Sequence, residues 1–289
     1  MKEELCEALK KNRPNISANT VKTYCSTLNS LYKKLNGEDG VEFFHKNQDK
    51  ILEHIDSFAS NQSKKTVLSA LYVLTEDKDY HTKMLHYANE VNNQYREQKT
   101  DPDRLKNLPT LDELKEKYII YKNNLKKNPT LDNWVDYIFV ALTSTALMPP
   151  RRNEWAMMKV KNYNKDTDNY MTNKEFVFNK FKTAKYKTEE EKRMPIPSEL
   201  LTMIKKYKKV SDNEYLVYNV STGKPFTSSQ FTKKLNKIYG ANIGIDAIRS
   251  VYLSDLYKGL PKLKELEEIA DTMGNTINSQ LKYYVKKDH

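Results

Sequence analysis

Residues 131–155, LDNWVDYIFVALTSTALMPPRRNEW, contain the most apolar helical pattern in the chain. The apolar spacing from Leu131 to Leu147 predicts a buried helix. We expect this helix to end at Met148-Pro149-Pro150, because proline disfavours helical backbone in the residue before it. The pair Arg151-Arg152, with Glu154 close behind, then opens the next helix.

Two short strands follow this helix. Glu175-Phe176-Val177-Phe178 and Arg193-Met194-Pro195-Ile196 predict a β-hairpin with a long, lysine-rich tip. From Ser198 onward the helical spacing of apolar residues returns. The sequence therefore predicts a mainly α fold with a small antiparallel β-sheet, an α+β class.

Four short amphipathic helices are predicted in the first hundred residues. The first follows the cap residues Ser17-Ala18-Asn19-Thr20, the second spans Phe43 to Phe58, the third follows Asn61-Gln62-Ser63, and the fourth lies around Met84 to Tyr95. Together they can bury one small core. Because residues 101–109 are polar and contain two prolines, they predict a linker between a domain of residues 1–100 and a domain of residues 110–289.

The net charge favours a polyanionic partner. The chain of 289 residues has 49 Lys and Arg against 38 Asp and Glu, a formal charge of +11. Such an excess suits nucleic acid, because basic side chains that neutralise phosphates release counterions. Part of the excess is discounted as codon bias, since Gly is scarce at 7 residues and Tyr abundant at 20.

Other function classes find little support. Cys6 and Cys25 do not make a disulfide framework, and we expect both to pack as small apolar groups. No Cys/His cluster and no phosphate-binding Gly-rich loop is present, so we expect no metal or other cofactor. The N-terminal residues MKEELCEALKK lack a signal-peptide pattern, and no run of 18 apolar residues predicts a membrane span. We therefore expect a soluble, intracellular protein.

Four segments after residue 144 are informative as a group. They are the turn with Arg151 and Arg152, the hairpin tip Lys182-Thr183-Ala184-Lys185, the apolar segment around Arg249, and the segment from Met273 to Lys286 with Tyr283 and Tyr284. Each has an ordinary interpretation when taken alone, such as a surface ion pair, a solvated lysine turn, a snorkelling arginine or a core tyrosine.

Their order, arginine, hairpin lysine, arginine and tyrosine, resembles the catalytic domain of tyrosine recombinases. Asn19-Thr20-Val21-Lys22-Thr23-Tyr24, followed by Leu28 and Leu31, is similar to the helical core-binding domain of that family. The Pro-Pro-Arg step and the Tyr-Val-Lys step look most like the divergent members from large eukaryotic DNA viruses, virophages and related mobile elements. The resemblance covers nearly the whole chain.

The resemblance implies a site-specific DNA recombinase, or integrase, that works through a 3′-phosphotyrosine intermediate without a cofactor. It implies Lys182 as the hairpin lysine, with Lys185 in reserve, and Arg249 as the second arginine. The first arginine is either Arg151 or Arg152. The nucleophile is Tyr284 or Tyr283, with Tyr284 preferred from the ungapped count after Gly274.

Two positions depart from the family pattern. Asp246 stands where the family usually has His, three residues before the second arginine, and Asn275 stands where it usually has His or Trp. An ionised Asp cannot donate a hydrogen bond to phosphate, although it could act as a base or orient Arg249. Asn275 can still donate. We expect these changes to retune catalysis rather than abolish it.

The resemblance also implies the partners. We expect double-stranded DNA, a homotetramer on that DNA, no small-molecule substrate, and a location in the host nucleus or viral factory if the protein is virus-encoded. Three alternatives remain open. They are a catalytically decayed recombinase that acts as a DNA-binding protein, a type IB topoisomerase, and a basic helical protein without catalysis.

Overall fold

The computed structural model describes residues 1–98, 107–181 and 192–281. These residues form two compact units. The first unit contains residues 1–98 and 261–281, and the second contains residues 107–181 and 192–260. The predicted functional domains, with their limits at residues 100 and 110, stay a prediction.

The first unit is helical. Its N-terminal helices are α1 (Lys2–Asn12), α2 (Ala18–Lys34), α3 (Phe43–Lys46), α4 (Gln48–Asp56), α5 (Asn61–Thr75) and α6 (Lys78–Arg96). Ser17 caps α2 by accepting a hydrogen bond from the Thr20 backbone N–H, as its position in the sequence predicts. Helix α1 was not among the predicted helices. The predicted helix from Phe43 to Phe58 is divided at Asn47 into α3 and α4.

The expectation that Cys6 and Cys25 pack as separate apolar groups is wrong. The two sulfurs are bonded, with the Cα atoms 5.4 Å apart. The bond joins α1 to α2, and Cys25 is fully buried in the core of this unit. Because α1 was not predicted, the sequence offered no element that could bring Cys6 next to Cys25.

Two further helices of the first unit come from the C-terminal part of the chain, α12 (Leu263–Thr272) and α13 (Ile277–Ser279). Polar contacts join α12 to the end of α6. The Arg96 guanidinium lies 2.7 Å from the Glu267 carboxylate, and Lys264 lies 3.1 Å from Glu97. The backbone N–H of Leu263 donates to the side chain of Gln98 at 2.8 Å.

The second unit combines helices with a small sheet. Its helices are α7 (Leu111–Lys127), α8 (Leu131–Thr143), α9 (Ser198–Tyr207), α10 (Ser228–Tyr239) and α11 (Ile245–Leu256). Its strands are β1 (Met158–Lys159), β2 (Asn169–Met171), β3 (Glu175–Phe178) and β4 (Lys192–Pro195), in the spatial order β1-β2-β3-β4. The mainly α fold with a small sheet, α+β, is confirmed.

The sheet differs from the prediction in one respect. β3 pairs antiparallel with β4, with Phe176 opposite Met194, which confirms the predicted hairpin. β2 also pairs antiparallel with β3, but β1 pairs parallel with β2. The sheet is therefore mixed rather than purely antiparallel. β1 and β2 are only two and three residues long, too short to show an alternating pattern in the sequence.

Helix α8 is the buried helix predicted from residue 131, but it ends at Thr143 rather than at Leu147. Thr145 adopts a left-handed backbone with φ of 65°. A residue in that region just beyond the last turn stops a helix, although glycine usually fills the position. The prolines therefore act only on the turn that follows, and this turn carries Arg151 and Arg152.

Within the described part of the chain, the helices are too short or too polar to cross a membrane.

Candidate functional site

Arg151 and Arg152 lie between α8 and a single 3-10 turn, Asn153–Met157. The sequence predicted that the arginine pair opens a regular helix, and this is wrong, because the chain enters strand β1 directly after the 3-10 turn. Trp155 in this turn is fully buried and packs edge-on against Phe176 and Phe178 of β3. The turn is thereby fixed to the sheet.

The Arg151 side chain lies over the ring of Phe178. Its guanidinium carbon is 3.8 Å from the ring centroid, a cation–π contact. Its Nε is buried and has no hydrogen-bond partner among the described residues. Burial lowers the pKa of Arg151, Glu154 opposes that shift, and Arg249 adds to it. Arg151 nevertheless stays charged at neutral pH, because a guanidinium does not deprotonate in proteins.

Asp246 and Arg249 lie one turn apart in α11. The Arg249 Nη1 atom is 3.2 Å from Asp246 Oδ1, and it donates a hydrogen bond to that oxygen. The Arg249 side chain is 33% exposed, so its charge is partly buried in this apolar helix. Asp246 is the charged partner that such burial requires. Arg152 Nη1 lies 3.8 Å from the same Oδ1 atom.

The second unit thus gathers Arg151, Arg152, Asp246 and Arg249 into one site, which we call the arginine cluster. Arg152 and Arg249 share one carboxylate oxygen, and Arg151 directly precedes Arg152 in the chain. Two guanidiniums, those of Arg152 and Arg249, lie beside the Asp246 carboxylate, whose side chain is 65% exposed. Guanidiniums recognise oxyanions through paired N–H donors, so the cluster can bind a phosphate.

A cavity of about 630 Å³ adjoins the arginine cluster. Asp246 and Asn153 both line it, together with Gly244 at the start of α11. The side-chain oxygen of Asn153 is buried and has no hydrogen-bond partner among the described residues. The residues that the structure describes contain no group of three or more His, Cys, Asp or Glu side chains arranged to hold a metal ion.

Several predicted site residues cannot be placed in this cluster. Lys182, Lys185, Tyr283 and Tyr284 lie outside the described residues. Asn275 follows α12 in the first unit, and its side-chain oxygen is buried with no partner among the described residues. The assignment of catalytic roles to these residues stays a prediction.

Phe178 is a site residue that the sequence did not point to. It was predicted only as a strand residue of the hairpin, and it is fully buried. Its ring contacts both Trp155 and the guanidinium of Arg151. No pattern along the chain signals this contact, since strand β3 and the turn at residue 151 meet only in the folded protein.

Replacing Phe178 by alanine is expected to lower the free energy of unfolding by about 3–5 kcal/mol, because it leaves a cavity beside Trp155. Urea unfolding followed by circular dichroism measures this loss. Phe178→Leu and Phe176→Leu are a matched pair of variants for the cation–π contact. Both replace a ring that packs against Trp155, but only Phe178→Leu also removes the ring under Arg151. A loss below about 1 kcal/mol for Phe178→Ala would contradict the packing described for this residue.

Comparisons with known proteins do not assign the chain to a family. No protein-family model matches the chain, and no curated protein matches it. Among solved structures, the crystal structure of XerA recombinase aligns with 14% sequence identity, over 100% of this chain and 95% of that chain, with a TM-score of 0.32. This likeness is too low to assign a family.

Proposed function

We propose that this protein is a DNA strand-transferring enzyme of the tyrosine recombinase type, an integrase that cleaves and rejoins duplex DNA. The observation that carries the proposal is the arginine cluster. Arg152 comes from the turn after α8 and Arg249 from α11, yet both lie beside the same Asp246 oxygen, and Arg151 adjoins Arg152 in the chain. Cations that the fold brings together repel one another. Such a cluster is therefore typical of a site that binds an anion.

The proposed chemistry is attack of a tyrosine on a DNA phosphodiester. The phenol of Tyr284 loses its proton to Asp246 or to solvent, its oxygen bonds to phosphorus, and the bond from phosphorus to the 5′ oxygen breaks. Arg249 and the first arginine, Arg151 or Arg152, stabilise the negative charge that develops on the non-bridging oxygens. Lys182 donates a proton to the leaving 5′ oxygen, and the 3′-phosphotyrosine retains the bond energy for religation.

Asp246 has two possible roles in this scheme. Its oxygen lies 3.2 Å from Arg249 and 3.8 Å from Arg152, which suits a residue that orients both guanidiniums. It could also take the proton of the attacking phenol as a base. In the absence of DNA, the carboxylate partly neutralises the cations that would hold the phosphate.

The proposal extends to the partners. The formal charge of +11 fits double-stranded DNA, which many Lys and Arg contacts would position without reading its sequence. Assembly into a homotetramer on DNA, an origin in a DNA virus or related mobile element, and a location in the host nucleus or viral factory are further parts of the proposal.

A second candidate function is a decayed recombinase that binds DNA without cutting it. The observation that favours it is the Asp246 carboxylate itself. It accepts a hydrogen bond from Arg249, at a position where the family usually has a His that donates a hydrogen bond to the phosphate. An ionised carboxylate repels a phosphate, so this site could bind DNA loosely and fail to stabilise the transition state.

The experiment that tests the proposal is a suicide-substrate assay. Nicked duplexes made from the DNA ends of the element that encodes this chain are first tested for binding by gel shift. Bound duplexes are then incubated with the protein and separated on a denaturing gel. We expect a covalent protein–DNA adduct, whose linked peptide is identified by mass spectrometry as containing Tyr283 and Tyr284. A duplex that is bound but never attached would support the decayed, DNA-binding alternative.

A further inference from the structure

A second concave surface lies in the second unit, on helices α7, α8 and α9. It encloses about 590 Å³, and we call it the α7–α9 groove. Its floor is apolar and aromatic, made of Leu125, Pro129, Trp134, Tyr137 and Met203. Leu125 and Met203 are buried, while the Trp134 ring is only partly covered. The floor therefore offers a large aromatic side chain to a ligand.

Basic side chains border this floor on two helices. Lys122 and Lys126 lie four residues apart on α7, so they share one face of that helix, and Lys206 comes from α9. The ammonium groups of Lys126 and Lys206 make no ion pair with any residue that the structure describes. An apolar floor with unpaired cations on two helices suits an apolar group that is flanked by anions.

Glu199 is the one acid among the described residues that line the groove, and it already has its partners. Glu199 Oε1 accepts a hydrogen bond from the Tyr118 hydroxyl at 2.6 Å and from Lys122 at 3.0 Å. These two donors hold the pKa of Glu199 below its usual range. Glu199 thus stays ionised and occupies Lys122, which leaves Lys126 and Lys206 as the cations available to a ligand.

The apolar floor of the groove favours an acidic protein segment over a DNA backbone. A DNA backbone would use the lysines but has no large apolar group to cover Trp134 and Met203. A protein segment can place a large apolar side chain on the floor and carboxylates beside Lys126 and Lys206. Peptide grooves of this kind combine an apolar anchor with charged flanks that set specificity.

We propose that the α7–α9 groove docks a short acidic segment of a partner protein, in which one large apolar side chain is flanked by Asp or Glu on both sides. The apolar side chain lies against Trp134 and Met203, and the flanking carboxylates pair with Lys126 and Lys206. This docking site does not depend on the proposed recombinase function, because none of its residues belongs to the arginine cluster.

The test selects ligands from a displayed library of random peptides. The library is selected on the full-length protein and counter-selected on the Lys126→Glu/Lys206→Glu double variant. We expect enriched peptides with an aromatic or large aliphatic residue between acidic residues. Failure to enrich any peptide that needs the two lysines, or enrichment of peptides without acidic residues, would overturn the proposal.

Binding of the enriched peptide is then measured through Trp134. The chain has two tryptophans, and Trp155 is fully buried in the core, so a ligand on the groove changes chiefly the emission of Trp134. We expect Lys126→Glu/Lys206→Glu to weaken the peptide by at least about tenfold, because charge reversal places like charges together. Lys127→Glu/Lys205→Glu is the matched control, with the same net charge change one residue away on the same helices, and it should bind normally.

Two other occupants give distinct results. If duplex DNA changes the Trp134 emission and Lys126→Glu/Lys206→Glu removes that change, the groove is a nucleic-acid contact and the proposal is wrong. If the protein self-associates in analytical ultracentrifugation and the double variant alone is monomeric, the groove joins copies of this chain, which also overturns it. Both readouts are independent of DNA cleavage.

Discussion

Arg249→Ala is expected to reduce DNA strand cleavage by about 10²–10³-fold while leaving DNA binding largely intact, because one preorganised donor to a developing oxyanion contributes on that order. Binding depends on many phosphate contacts, of which Arg249 is one. Folding should also survive, since an ion pair as exposed as that of Arg249 with Asp246 contributes at most about 1 kcal/mol. Cleavage is measured as adduct formed per bound duplex.

The chain offers a matched control for this substitution. Lys258 forms an ion pair with Asp255 at 3.4 Å, with the same three-residue spacing as Arg249 and Asp246. Lys258→Ala therefore removes a similar ion pair near the end of the same helix but outside the arginine cluster, and it should cleave normally. Arg249→Lys keeps the charge and loses the forked donor, so an intermediate rate is expected. Weakened binding with normal cleavage per bound complex would remove Arg249 from the proposed role.

Tyr284→Phe is expected to abolish the covalent adduct entirely, because phenylalanine has no oxygen with which to attack phosphorus. Tyr283→Phe is the natural control, since it makes the same change one residue away and should retain the adduct. Both variants are tested with the nicked duplexes after their binding has been verified by gel shift.

The remaining outcomes of the tyrosine pair are equally informative. An adduct that is lost only in Tyr283→Phe would move the nucleophile to Tyr283. An adduct that persists in both variants would contradict tyrosine chemistry at this position. A wild-type protein that binds but never forms an adduct would direct attention to Asp246 and Asn275, the two positions that depart from the tyrosine recombinase pattern that the chain resembles.

Features that depend on neighbouring residues were predictable. The cap at Ser17 and the apolar spacing after it predicted helix α2, because a helix satisfies its hydrogen bonds locally. The hairpin of β3 and β4 was predictable because strands that follow one another in the chain usually pair. The position of Arg249 in an apolar helix likewise followed from periodicity, and so did its need for a charged partner.

Features that depend on distant residues were not predictable. The early end of α8 was not predictable either, because the threonine side chain does not favour the left-handed backbone that Thr145 adopts. The parallel pairing of β1 with β2 and the bond between Cys6 and Cys25 also join segments whose proximity the sequence pattern does not encode.

By itself, the sequence determined the class of the fold, most of its helices, and the residue types from which a phosphate site could be built. Only the tertiary structure decided that Arg151 lies on Phe178, that Arg152 and Arg249 share Asp246, and that Lys126 and Lys206 border an aromatic groove on α7 and α9. The physical reason is that local hydrogen bonding and periodicity are written along the chain. Packing of side chains and convergence of charges depend on which surfaces meet when the chain folds.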